Sequence, residues 1–198
     1  MIQSLHPLDG ITREPLYLQQ VHGDVIHFRP RGQAGDGLVT DQAGDTLLLF
    51  TADCPILLYH FPGTAILAGV HAGWRGAARN ITGKMVTHLQ QRFNRPPPQL
   101  QVWLASGIDR CHYEVGRELV PLLQPFATPE SLFEQVADRL LLDLKQLARN
   151  QLLLAGVPDE QITDISLDSY ATPELHSCRG DGRLHGISGL FARLTDTA

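Results

Sequence analysis

The 198-residue chain is poor in lysine: Lys84 and Lys145 are its only two, so nearly all of its 16 basic residues are arginine. Charged residues make up only 19%, and the formal net charge is -5 at pH 7. No basic excess exists to neutralise a phosphate backbone, which excludes a protein whose main task is gripping nucleic acid. No window approaches about 18 uninterrupted apolar residues, so no membrane span is expected. The opening residues, Met1 to Pro7, lack a basic start followed by an apolar run, and no secretory signal is expected. Cysteine is scarce. Cys54, Cys111 and Cys178 are odd in number and far apart, which argues against a disulfide framework and for reduced thiols in a cytoplasm. No Gly-x-Gly-x-x-Gly or Walker-type sequence occurs, so the common phosphate loops are absent. The nine histidines include no His-x-His pair.

What is present is an ordinary globular composition. Apolar residues make up 43%, enough for one sizeable core, and the length suits a single domain. The first half reads mostly as strands. Leu16 to Val21 and Val25 to Phe28 flank a tight turn at His22-Gly23-Asp24. Thr46 to Phe50 is a continuous apolar run, the pattern of a strand covered on both faces. Ile56 to Phe61 and Thr64 to Val70 follow, separated by the turn pair Pro62-Gly63. Ala78, Ile81, Met85, Leu89 and Phe93 recur every three or four residues, predicting one helix from near Gly76 to before Pro96. Leu100 to Ala105 reads as strand, and Glu114 to Phe126 as a weaker helix interrupted by Pro121. Asp143 with Gln146 forms a capping pair for another helix, which ends at Gly156 and Pro158. Ile162 to Leu167 and Leu184 to Leu194 are late strands. Strands that dominate early and do not alternate with helices predict an α+β protein with a large mixed sheet.

Three short segments carry the chemistry: Gln20-Val21-His22-Gly23, Thr51-Ala52-Asp53-Cys54-Pro55 and His71-Ala72-Gly73-Trp74-Arg75-Gly76. Each places one borderline or soft ligand at a strand end beside small or turn-forming residues. Two imidazoles and a thiolate suit zinc, with a fourth position left open as in catalytic sites. Their separations match no zinc-finger spacing, and any one of the three taken alone reads equally as a structural residue.

Together, and in this order, the three segments resemble the laccase-domain family, also called multicopper polyphenol oxidoreductase or purine nucleoside phosphorylase. The resemblance continues through Asp143-Leu144, Gln146-Leu147-Ala148-Arg149 and Gly156-Val157. It implies a three-layer α/β/α arrangement around a large mixed sheet. It also implies metal ligands, and hence catalytic residues, at His22, Cys54 and His71, with zinc as cofactor and copper as the alternative. The implied partners are a purine nucleoside (adenosine, inosine, guanosine or methylthioadenosine) and phosphate. Adenosine deamination and copper-dependent phenol oxidation are further activities of the family. A single domain, monomeric or homodimeric, is expected. Members carry some fifty residues ahead of the first motif where this sequence has a short stub. Their Gly-Pro-x-Ile-Gly loop stands here as Ala105-Ser106-Gly107-Ile108-Asp109, without its proline. Their Ser-Tyr-Arg-Arg-Asp is here Ser177-Cys178-Arg179-Gly180-Asp181.

On that resemblance Arg75 and Arg179 are the candidates for phosphate, since a guanidinium is a planar fork suited to it. Trp74 is a candidate to stack on a purine, Asp53 to orient a ligand or proton, and Glu114 to serve as acid or base in deamination. The helix start near Gly76 is expected to face the anion. Three rival readings share these residues. A copper centre lacks a clear axial methionine, since only Met1 and Met85 exist. A metal-free hydrolase would use Cys54 as nucleophile and His71 as base. A non-catalytic protein would keep the metal alone. Cys111, His112 and Cys178 are read as bystanders, and His27, His60, His88, His176 and His185 as surface or structural.

Overall fold

Strict alternation of side chains sorts the central strands between two cores. A computed structural model describes residues 14–126, 132–165, 167–182 and 186–194. In β6 (Ile56–His60), Leu57 and Tyr59 enter one apolar cluster while Ile56 and Leu58 enter another. In β7 (Leu67–His71), Ala68 and Val70 face the first and Leu67 the second. Successive side chains of a strand point to opposite faces, so both faces of this sheet must be covered.

The central sheet has six strands in the order β12-β8-β6-β7-β4-β2. Its further members are β2 (Ile26–Phe28), β4 (Gly37–Thr40), β8 (Gln101–Leu104) and β12 (Ile162–Asp164). The outer pairs, β12 with β8 and β2 with β4, are parallel; the inner pairs are antiparallel. The first cluster lies under two helices, α2 (Ile81–Phe93) and α4 (Leu144–Leu154), through Ile81, Met85, Leu89, Ala148 and Leu152. Each fully buried Leu, Ile or Met contributes about 1.5–3 kcal/mol over the exposed state.

The layered mixed α and β architecture is therefore present, and the layer opposite the helices is a second sheet. That sheet has four strands, β13-β5-β1-β3: β13 (Ser188–Arg193), β5 (Thr46–Thr51), β1 (Leu16–Gln19) and β3 (Arg31–Ala34). Leu16, Leu18, Leu47 and Leu49 pack from it onto Leu38, Ile56 and Leu67 of the central sheet. A small third sheet joins β10 (Phe133–Val136), β11 (Arg139–Leu142) and β9 (Glu114–Val115), beside α3 (Leu119–Leu123).

Several sequence expectations are corrected. The turn at His22-Gly23-Asp24 does not make a hairpin: β1 pairs with β3 and β5, while β2 pairs with β4 in the other sheet. The turn passes the chain from one layer to the next. Thr46 to Phe50 is covered fully on one face only, since Phe50 is exposed. The helix expected from Gly76 is two helices. α1 (Trp74–Ala78) ends before Asn80, whose left-handed backbone (φ 60°) starts α2 with its side chain accepting from the Gly83 N–H. Over 114–126 the chain forms β9, α3 and a 3-10 turn; Pro121 sits in the first turn of α3, where no N–H is required. Strands β3, β4, β10 and β11 went unread because they are short and lack strong alternation. The last strand begins at Ser188, and residues 183–185 lie outside the described residues, as does His185 with them.

The Asp143 cap is as expected: its Oδ1 accepts from the Gln146 N–H at 2.8 Å. Asp143→Ala is expected to lower stability by about 1 kcal/mol. A urea denaturation midpoint shifted by that amount with an unchanged slope checks it.

Candidate metal centre and adjoining cavity

Register brings the three motifs to one edge. β1 and β5 run parallel, so the residues that follow each, His22 and Cys54, leave the sheet on the same side. Ile56 pairs with His71, which sets Cys54-Pro55 beside the end of β7. The ligand atoms of His22, Cys54 and His71 all lie within 4.8 Å of one another. That span is slightly wider than the roughly 3–4 Å kept by atoms sharing one zinc. Among the described residues this is the only such group of three. The two imidazoles meet edge to face, with centroids 4.8 Å apart and planes at 82°.

A residue that the motifs did not single out holds the cluster. Asp36, fully buried, precedes β4, and β4 runs antiparallel to β7, so Asp36 stands opposite His71. Its carbonyl accepts from the His71 N–H at 2.8 Å, and its Oδ1 lies 2.8 Å from His71 Nδ1. Its carboxylate also accepts backbone N–H groups from Val21 (3.2 Å), His22 (3.0 Å) and Gly23 (2.6 Å). One carboxylate thus orients one imidazole by its ring and the other by its backbone. With Nδ1–H committed to Asp36, His71 presents the Nε2 lone pair, the arrangement found behind metal-binding histidines. Burial alone would raise the Asp36 pKa; the hydrogen bonds from His71, Gly23 and Val21 hold it below the ordinary carboxylate value. The only sequence signal for this residue is an acid between two glycines, Gly35-Asp36-Gly37.

Close backbone approaches surround the cluster. A Cβ on Gly73 would stand 2.8 Å from the His22 ring and 3.0 Å from Cys54 Sγ. A Cβ on Gly76 would stand 2.5 Å from the Gly23 carbonyl oxygen. Glycine at both positions lets α1 approach the first motif closely. Thr51 Oγ1 donates to the Cys54 carbonyl at 2.5 Å and fixes the second motif. Burial pushes the Cys54 thiol up to about 12, with the Asp53 carboxylate acting in the same direction. A free thiolate nucleophile is therefore disfavoured, whereas a bound cation deprotonates a coordinating thiol outright. Borderline donors, a tautomer-fixing carboxylate and a glycine-lined approach fit a divalent metal.

Beside the cluster lies a cavity of about 490 Å³. Trp74, Tyr113, Glu114, Glu118, Leu119 and Arg179 are among its walls. Three of the expected substrate residues, Trp74, Glu114 and Arg179, are thus brought together. The Arg179 guanidinium lies 4.6 Å from the Tyr113 ring centroid and donates to the Glu114 carbonyl at 2.8 Å. Arg75 lies exposed over the Trp74 ring at 4.3 Å. Among the described residues neither arginine pairs with a carboxylate. Glu114 accepts from Arg139 Nε at 2.8 Å. Asp53 does not line the cavity; its buried carboxylate is bound by Ser169, Ser177 and the Arg179 N–H. Helix α1 has only five residues, too short for the anion-facing macrodipole expected of a long helix. Tyr113 and Glu118 were missed because neither stands in a motif.

Several other histidines are engaged away from the cluster, whereas the buried Nε2 of His88 has no hydrogen-bond partner among the described residues. Cys111 and His112 share a 3-10 turn, where His112 bonds Asp168 at 2.8 Å and stacks on Tyr170. His27 and His60 bond backbone carbonyls, and no disulfide joins the three cysteines. Among the described residues no helix is long and apolar enough to cross a membrane.

Fold and cluster together define a mixed α/β protein with a His-Cys-His centre at one sheet edge beside a cavity. The chain belongs to the multi-copper polyphenol oxidoreductase laccase family, whose model matches residues 3–194. It is 40% identical over 160 residues to purine nucleoside phosphorylase YlmD of Geobacillus stearothermophilus, covering 73% of this chain and 58% of that protein. It is 34% identical over 159 residues to purine nucleoside phosphorylase YfiH of Escherichia coli, covering 77% and 63%. The chain thus spans about three-fifths of the length of these relatives. The crystal structure of YlmD from Geobacillus stearothermophilus superposes with a TM-score of 0.82 at 32% identity, over 89% of this chain and 72% of that one. That of YfiH from Bacillus licheniformis also gives 0.82, at 26% identity, over 90% and 74%.

Two outcomes follow from the geometry. Asp36→Asn is expected to weaken metal binding about 10–100-fold, read by elemental analysis after dialysis against a metal buffer. In the metal-free protein burial and the neighbouring His71 hold His22 below the ordinary imidazole value of 6.5. The unfolded chain then binds that proton first, so this contribution to stability is full above 6.5 and is lost as pH falls from there through the lower folded-state value. Denaturation of metal-free protein at pH 7.5 and at pH 5.5 checks the sign.

Proposed function

We propose that the chain is a metal-dependent purine nucleoside phosphorylase with zinc at His22, Cys54 and His71. The observation that carries this reading is the His-Cys-His cluster beside a cavity walled by aromatic rings and by an arginine that, among the described residues, pairs with no carboxylate. The names of the relatives agree with it. Zinc held by His22, Cys54 and His71 would supply Lewis acidity to a substrate atom brought beside it.

The remaining work falls to the chain's own groups. Trp74, half-buried in the cavity wall, offers a ring on which a purine stacks, while the Tyr113 ring, nearly buried, backs the Arg179 guanidinium. Arg179, with Arg75 nearby, offers guanidinium forks for phosphate, and among the described residues neither forms an ion pair with a carboxylate. Phosphate held there attacks ribose C1′; the bond from C1′ to purine N9 breaks, and the base departs with the electron pair and takes up a proton. Free cysteines suit a reducing compartment such as the cytoplasm.

The alternatives receive less support. Deamination needs a carboxylate free to shuttle a proton, and the Glu114 carboxylate is engaged by Arg139. A copper centre of the blue type wants an axial methionine, and Met85 is buried in the helix-covered core. Asp36, His71 and Cys54 also form the outline of an Asp-His-Cys hydrolase, but the raised thiol opposes it.

Protein purified without added metal is expected to contain zinc and to release base from inosine or adenosine only when phosphate is present. Cys54→Ser is expected to lose both zinc and activity, and a chelator to abolish activity that zinc restores. Full activity in metal-free protein, together with inactivation by thiol alkylation, would hand the site to the Cys-His hydrolase. Arg179→Ala is expected to raise the phosphate KM about tenfold or more, the scale of one lost charge-assisted contact, with the nucleoside KM little changed.

A further inference from the structure

The residue immediately before the Cys54 ligand is a buried carboxylate that faces away from the metal cluster and toward the last third of the chain. Asp53 is 4% exposed. Its Oδ1 accepts from Ser169 Oγ at 2.8 Å and from Ser177 Oγ at 2.6 Å. Its Oδ2 accepts from the Arg179 N–H at 2.8 Å. The partners lie 116 to 126 residues further on. Its own carbonyl accepts from the Ile108 N–H at 2.8 Å, so the peptide unit is held from the other side as well. The backbone here has φ 101°, a region that a non-glycine residue occupies only when its surroundings hold it there.

The arm that Asp53 grips carries Arg179. The helix α5 (Cys178–Asp181) has only four residues and is capped by Ser177, whose Oγ accepts from the Gly180 N–H at 2.9 Å. The Ser177 hydroxyl therefore accepts a hydrogen bond from α5 and donates one to Asp53. A helix this short has little stability of its own. Outward from it, Arg179 reaches the cavity, against Tyr113 and the Glu114 carbonyl. Asp53 and Arg179 thus meet through backbone and hydroxyls, not through opposite charges.

We propose that Asp53 is a positioning residue: its carboxylate fastens the arm ending at Arg179 to the loop that carries Cys54, setting the cavity's anion-binding guanidinium at a fixed place beside the metal centre. The assignment of Arg179 to phosphate rests on the phosphorylase reading above; the fastening itself does not. The chemistry requires a carboxylate. Three donors converge on its two oxygens, and an amide would turn an N–H group toward one of them. Asparagine keeps the volume and tolerates a positive φ, so Asp53→Asn changes the donor match without adding backbone strain.

The test compares the wild-type protein, Asp53→Asn, Arg179→Ala and the double variant, all with metal bound. Trypsin cuts after Arg179 only when the arm leaves its seat. Asp53→Asn is expected to retain its metal by elemental analysis and to be cut at the bond from Arg179 to Gly180 about tenfold faster, the scale of losing hydrogen bonds to a charged group. Titration with inorganic phosphate is expected to show binding weakened by a similar factor in Asp53→Asn and in Arg179→Ala. The double variant is expected to be no weaker than the worse single one, because both changes act on the same contact. Ser169→Ala, which removes one donor to the same carboxylate and leaves the Ser177 cap of α5 in place, is expected to give an intermediate cleavage rate and serves if Asp53→Asn does not fold. An unchanged cleavage rate, additive losses in the double variant, or loss of metal from Asp53→Asn would each overturn the proposal. Faster cleavage of Asp53→Asn in a protein whose wild type binds no phosphate would uphold the fastening and sink the phosphorylase reading instead.

Discussion

The centre depends on one buried carboxylate. Asp36 is removed from water, and an uncompensated charge there would cost several kcal/mol. It is compensated by four N–H donors: the His71 ring and the backbone of Val21, His22 and Gly23. Those donors belong to two motifs nearly fifty residues apart, on chain segments that enter different sheets. Because the carboxylate must satisfy its charge, it ties the first motif to the third. Without it, the turn at His22, with its φ of 57°, would have no reason to adopt that conformation.

Asp53 plays the corresponding part on the other side of the centre. Where Asp36 gathers the histidines, Asp53 gathers the late segment that brings Arg179 to the cavity. The two carboxylates divide the polar interior between the metal ligands and the substrate wall. Both carboxyl groups are placed so that N–H and hydroxyl donors, not lysine or arginine side chains, meet their oxygens. Backbone donors and hydroxyls are directional, so such contacts fix geometry more tightly than a flexible ion pair would.

The scaffold that holds them is a central sheet with a cover on each face. Helices α2 and α4 close one side through Met85, Leu89 and Leu152, and the four-stranded sheet closes the other through Leu47 and Leu49. Loops at the edge of a doubly covered sheet are held by rigid strands yet open to solvent, which suits a site that must admit substrate and keep its ligands still.

Much of this was legible in the sequence, for physical reasons that can be named. The turn pair Pro62-Gly63, the apolar run of β6 and the spacing of Ile81, Met85 and Leu89 are local patterns, and local patterns survive in the one-dimensional record. The Asp143 cap is likewise local, since donor and acceptor are three residues apart. The three motifs pointed to His22, Cys54 and His71, and the structure brings those three side chains together. Tertiary structure decided the rest. Only the antiparallel register of β4 and β7 sets Asp36 against His71, and only the packing of the late arm sets Asp53 beneath Arg179. The destination of β2, apart from β1 and in the other sheet, also came from long-range pairing. A buried carboxylate looks the same in sequence as an exposed one; what distinguishes it is the set of donors that folding brings to it.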